Sequence, residues 1–142
     1  WEEAKADILG LFMVNRLIDM GEITDITKEE SVATFIAGIV RSVRFGHASS
    51  RGKANMMCYN YMEKNGAFSR NEEGKDVVDF EEAPEVIDSW ANLILETQAT
   101  GNLEFARKYA AENAEISEGL AADVAKVNEA GIPRDIVFEF NW

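Results

Sequence analysis

Thr27-Lys28-Glu29-Glu30-Ser31-Val32-Ala33-Thr34-Phe35-Ile36-Ala37-Gly38-Ile39-Val40-Arg41-Ser42-Val43 is the stretch that decides the fold class. Val32, Phe35, Ile36, Ile39, Val40 and Val43 recur at the i, i+3, i+4, i+7 spacing of one helix face. Thr27 and Glu30 stand at capping-box spacing, which satisfies two of the backbone donors that a helix start leaves unpaired. Gly46 ends the pattern. A helix of this kind must lay its apolar stripe on other elements, so its neighbours decide the architecture.

On the N-terminal side, residues 1–20 read as another helix. Ala4, Ile8, Leu11, Phe12, Leu17 and Ile18 recur at helical spacing, and Gly21 is a natural stop. The run from Ile8 to Val14 is apolar nearly all round, which predicts burial on several sides. On the C-terminal side, a third helix runs from about Ser50 to Asn65 and is closed by Gly66. The character then changes. Ala67-Phe68-Ser69 and Val77-Val78-Asp79-Phe80 flank Asn71-Glu72-Glu73-Gly74, the pattern of a short β-hairpin or an extended loop over 67–80. A fourth helix covers about 82–98, with Val86, Ile87, Trp90, Leu93 and Ile94 on one face and Pro84 tolerated near its start. A fifth covers about 102–113. A sixth runs from Ser117, a good N-cap, to Ala130, where Gly131 and Pro133 stop it. Ile136-Val137-Phe138-Glu139-Phe140 reads as an extended tail. The expectation is a mainly α fold of about six helices in one compact domain over 1–142. Its loops are short and show no internal boundary.

The composition narrows the function. The 142 residues carry 14 basic and 26 acidic side chains, a net charge of −12. Most of that surface repels a polyanion, which argues against nucleic acid and against an anionic membrane surface as partners. No run of about 20 apolar residues spans a bilayer. One cysteine, Cys58, excludes an internal disulfide and suits a small buried hydrophobe in a reducing, cytoplasmic compartment. The chain opens at Trp1, inside a helix and without an initiator methionine, so the expectation is a portion of a longer protein.

Two places could carry chemistry. In Trp1-Glu2-Glu3-Ala4-Lys5-Ala6-Asp7, Glu3 and Asp7 are four apart and share one helix face. Acids beside an apolar helix need a partner or a metal if they are buried, although acids in a first helical turn are also favoured by the helix dipole alone. The second place is a charge anomaly. No acid occurs between Glu30 and Glu63, while Arg41, Arg44, Arg51 and Lys53 fall in that window, a local +4 that leaves −16 for the rest. Such a cluster can hold a substrate carboxylate or pair with acids elsewhere in the protein. His47 is the only histidine, too few for a two-histidine zinc site, and its place at a helix end gives no ground for a hydrolytic triad.

The acid-rich helix start resembles the E-E-C-R-A-[ED] motif of dipeptidyl peptidase III-like zinc peptidases. Val43-Arg44-Phe45-Gly46, Gly52-Lys53-Ala54-Asn55-Met56-Met57 and Gly66-Ala67-Phe68 look like that family's next segments, in order. The bacterial and plant branch, some of whose members sit behind a Nudix hydrolase domain, is the most similar. The likeness runs to about Asp135-Ile136-Val137. The resemblance implies the C-terminal part of a zinc metallopeptidase in which an H-E-x-x-x-H helix supplies two histidines and a general base. It implies Glu3 as a zinc ligand and Glu2 and Asp7 as acids orienting the site from behind. Taken with this resemblance, the acid-free basic window is expected to face a peptide substrate through Arg51, Lys53 and Arg44, with Arg51 closest. The sequence departs from the family at two points. The histidine motif is absent, so this chain alone is expected to be inactive and to hold no catalytic zinc. Arg51 stands where relatives carry a substrate-contacting histidine just before Gly-Lys-Ala. The expectation is therefore a lobe that works with the remainder of a parent chain, with Arg51 on the same side of the molecule as Glu3. The alternatives are a non-enzymatic helical binding or scaffold module, or a degenerate metallopeptidase homologue.

Overall fold

The computed structural model describes residues 1–136 and 138–140. Its elements are α1 (Glu2–Asp19), α2 (Lys28–Val43), α3 (Ser50–Lys64), β1 (Phe68–Arg70), β2 (Asp76–Val78), α4 (Ala83–Ala99), α5 (Leu103–Asn113) and α6 (Glu118–Glu129). The expected six helices and hairpin are all present.

α3 is the axis of the fold. It packs against α1, α2, α4, α5 and β1. Its buried side chains, among them Ala54, Asn55, Met56, Met57, Cys58, Tyr59 and Met62, point in nearly every direction, as a helix surrounded by others requires. Around it lie Ile8 and Leu11 of α1, Val32, Ile36, Ile39 and Val43 of α2, and Val86, Ile87, Trp90 and Ile94 of α4. Trp90 is fully buried, stacks on Tyr61 at 4.5 Å between ring centroids, and donates its indole N–H to Cys58 Sγ at 3.3 Å. Loss of solvent pushes the Cys58 thiol up to about 12.

The helix starts follow the sequence signals. Thr27 Oγ1 accepts from the Glu30 N–H at 3.1 Å, and Glu30 Oε2 accepts from the Thr27 N–H at 2.8 Å, which completes the capping box. Ser117 caps α6 through the Leu120 N–H. Ser49 caps α3 through the Gly52 N–H at 3.1 Å.

The hairpin pairs Phe68 with Val78 and Arg70 with Asp76. Its strands have three residues each, too short to stand alone. Side chains anchor it. The Tyr59 hydroxyl donates to Asp76 at 2.6 Å, and the Arg70 guanidinium bridges Asp76 and, on α6, Asp123.

One expectation is corrected. α1 buries a single face, Ala4, Ile8, Leu11 and Asn15, towards α2, α3 and α4. Met13 and Met20 on its outer side are 59% and 71% exposed. An apolar run permits burial all round but does not supply the neighbours for it. The edge of the buried face borders a groove of about 440 Å³ lined by Leu11, Val14, Ile26, Thr34 and Phe35. Ile136, Phe138 and Phe140 of the tail are exposed, and Val137 lies outside the described residues. Among the described residues no helix is long and apolar enough to cross a membrane.

Candidate functional site

Glu3 and Asp7 project from the first two turns of α1 towards the first turn of α3, where Arg51 meets both. Arg51 Nη2 lies 2.9 Å from Glu3 Oε2, and Nη1 lies 3.4 Å from Asp7 Oδ1. The three side chains grade inward, at 59%, 43% and 22% exposure for Arg51, Glu3 and Asp7. Desolvation raises the Asp7 carboxyl above the ordinary range, and the guanidinium of Arg51 opposes that shift. Arg51 thus lies on the same side as Glu3, and both acids it pairs with come from α1.

The other sequence-derived candidates are placed apart from this cluster. Glu2 points to the far end of α4. It pairs with Lys5 at 2.7 Å and accepts from Gln98 at 3.0 Å, and the Lys5 contact holds its carboxyl below the ordinary range. Neighbouring residues on a helix point about 100° apart, so Glu2 and Glu3 cannot share one partner easily. Arg44, at the end of α2, clasps the turn after α6. It donates to the carbonyls of Ile132 at 2.6 Å and Pro133 at 3.3 Å, and to Asn128 at 3.1 Å. Lys53 is exposed on α3. His47 is half-buried, with its backbone against Gly52.

Gly52 explains part of the Gly-Lys-Ala segment. It is buried, and a Cβ there would stand 2.5 Å from His47 Cα and 2.7 Å from the Gly46 carbonyl oxygen. Only glycine lets α3 begin this close to the loop leaving α2, and that closeness sets where Arg51 projects. Beside Arg51 opens a groove of about 290 Å³ bordered by Arg41, Phe45 and Ser49. The sequence flagged Arg41 through the acid-free window and Phe45 within the Val43-to-Gly46 segment, but nothing in it singled out Ser49.

A zinc site takes at least three protein ligands, with two histidines and a carboxylate in the peptidase pattern. Among the described residues no group of three or more His, Cys, Asp or Glu side chains is arranged to hold a metal ion. What the cluster offers is a half-exposed glutamate beside a second, more buried acid.

No protein-family model matches the chain. It is 32% identical over 135 residues to Nudix hydrolase 3 of Arabidopsis thaliana, a match that takes in 95% of this chain and 18% of that protein. Its fold superimposes on dipeptidyl-peptidase III from Caldithrix abyssi with a TM-score of 0.89 and 31% identity, over 95% of this chain and 26% of the other. Dipeptidyl-peptidase III from Corallococcus sp. strain EGB gives 0.87 and 28%, over 94% and 25%. The chain thus spans about a quarter or less of the length of each of these relatives. Over nearly all of its own length, in sequence and in fold, it is similar to a partial region of dipeptidyl-peptidase III, as the order of its motifs led one to expect.

Proposed function

We propose that this chain is the helical lobe of a zinc-dependent, dipeptidyl-peptidase-III-like hydrolase acting on peptides in a reducing, cytoplasmic setting. In this reading Glu3 supplies one zinc ligand, and the start of α3 forms part of the substrate cleft. The observation that carries it is the Glu3–Asp7–Arg51 cluster, two acids at i, i+4 facing a cation from the next helix, within a fold similar to that of solved dipeptidyl-peptidases III. The two histidines would come from the rest of a larger protein. Zinc bound there would supply a Lewis acid for peptide hydrolysis.

This chain's own residues would position and bind. Asp7 sits one turn below Glu3 and shares its guanidinium, so it restrains the carboxylate from behind. Glu2, tied to Lys5 and Gln98, fixes the start of α1 against α4. Arg51 and Lys53 would meet the substrate. Arg44 would shape the cleft indirectly, through the turn at Ile132 and Pro133.

The test is metal analysis and peptide hydrolysis in the full-length protein. Glu3→Gln should lose zinc and activity together. Asp7→Asn should lower metal affinity or rate by about 10–100-fold, the usual effect of removing a group that orients a ligand. Full zinc content in Glu3→Gln would reduce the motif to a helix start.

One observation favours a second reading, a degenerate homologue. Arg51 stands where the peptidases carry a histidine, and its guanidinium lies 2.9 Å from the carboxylate that would bind metal. In that case the full-length wild-type protein binds no zinc and hydrolyses no peptide.

A further inference from the structure

We propose that the groove between the end of α2 and the start of α3, bordered by Arg41, Phe45, Ser49 and Arg51, is a subsite for the carboxylate of an acidic residue in a peptide. The peptide part of this assignment rests on the hydrolase reading, whereas the carboxylate part rests on the groove itself.

Charge is the first argument. The chain carries −12, yet no Asp or Glu borders this groove, and two arginines do. A third, Arg134, comes from the turn that Arg44 clasps. It lies over the Phe45 ring at 5.5 Å from the centroid, while Arg41 lies at 5.9 Å from the same ring. Phe45 is 48% exposed and holds both guanidiniums by its ring, so neither needs an acid to fix it. α3 also starts here with no acid of its own in its first turn.

Geometry is the second argument. The groove, about 290 Å³, is close to the lower bound of roughly 300 Å³ for small-molecule sites and suits one side chain better than a large ligand. Gly52 also lines it, with its backbone packed against Gly46 and His47 so closely that a Cβ has no room. Arg51 pairs with Glu3 and Asp7 through one N–H of each terminal nitrogen and keeps its other N–H groups, so the guanidinium that holds the acid pair also borders the groove. A carboxylate in the groove would therefore lie one arginine away from Glu3. The chemistry selected is a planar anion that two guanidiniums can grip, presented on an otherwise neutral peptide.

The test is an NMR titration of the 15N-labelled chain in excess EDTA, with Ac-Ala-Glu-Ala-amide, Ac-Ala-Gln-Ala-amide and inorganic phosphate as probes. The glutamate peptide should move the amide signals of Ser49 to Lys53, and the glutamine peptide should bind about tenfold more weakly, since it lacks one charge-assisted contact. Arg41→Gln should weaken the glutamate peptide by a similar factor, while Lys108→Gln, the same charge change on α5, should leave it unaltered. Equal affinity for the two peptides, no shift at millimolar peptide, or phosphate moving the same signals as strongly as the glutamate peptide would each overturn the assignment. No metal or turnover enters this measurement, so it can fail while hydrolysis in the full-length protein holds, and the reverse.

Discussion

Single residues fix where the candidate site projects, and Gly52 is the clearest case. The atoms that a Cβ would meet are His47 Cα and the Gly46 carbonyl, backbone that cannot swing aside like a side chain. Gly52→Ala should therefore cost about 1–3 kcal/mol, the usual range for overpacking a tight contact. Urea denaturation reads this directly, and wild-type stability would mean that the 46–48 loop yields freely. The sequence presented Gly52 as part of a motif without its reason, because a close approach between a loop and a helix start is tertiary. Cys58 was legible, since a lone cysteine amid Met56, Met57 and Tyr59 has an apolar environment written around it. Glu3 and Asp7 were legible as a pair through their spacing. That Arg51 closes the pair followed only once α1 and α3 were packed together.

Elements were legible to the extent that they carry their own punctuation. The capping box at Thr27 and Glu30 and the cap at Ser117 gave helix starts that the structure repeats within a residue. The burial of α1 was not legible, because an apolar stretch reads alike whether covered by two neighbours or four. The hairpin is held by charges that sequence spacing does not connect. Arg70 is 23% exposed and joins Asp76 across the ladder to Asp123 on α6, with Arg70 and Asp123 standing 53 positions apart in the sequence. Arg70→Met would leave two half-buried carboxylates without their cation. The expected loss is about 2 kcal/mol, in line with charged hydrogen bonds of about 1.5–3 kcal/mol each, part of which returns as the acids rehydrate. Hydrogen exchange should also quicken at the 68–78 amides while the centre of α3 stays protected. Unchanged exchange in the hairpin would show that its backbone pairs suffice without the ion cluster.

At the scale of the molecule, the excess of acids sets how stability follows pH. Burial raises the carboxyls of Asp7 and Glu63, so the folded chain holds those protons more tightly than the unfolded one. Their contribution is favourable below the ordinary carboxylate values and declines as pH rises through the raised ones. Glu2, lowered chiefly by Lys5, and Glu29, lowered chiefly by its own backbone N–H, act in the opposite sense. Their stabilisation is intact above the ordinary values and is lost only as pH falls through the lowered ones. Self-repulsion of −12 charges adds to the first trend. Lowering the pH from about 7.5 towards the ordinary carboxylate range in low salt should therefore raise the unfolding midpoint. Glu63→Gln should flatten that rise. A midpoint that falls over the same range would show that ion pairs such as Arg51 with Glu3 outweigh both.

The packing of Cys58 under Trp90 gives the molecule a clock. There is one sulfhydryl in the chain; it is fully enclosed and stays protonated at any physiological pH. A disulfide-exchange dye added to the folded protein can reach it only in the moments when α3 and α4 part. The rate of colour development therefore counts those openings one by one, without a label, a tag or a denaturant.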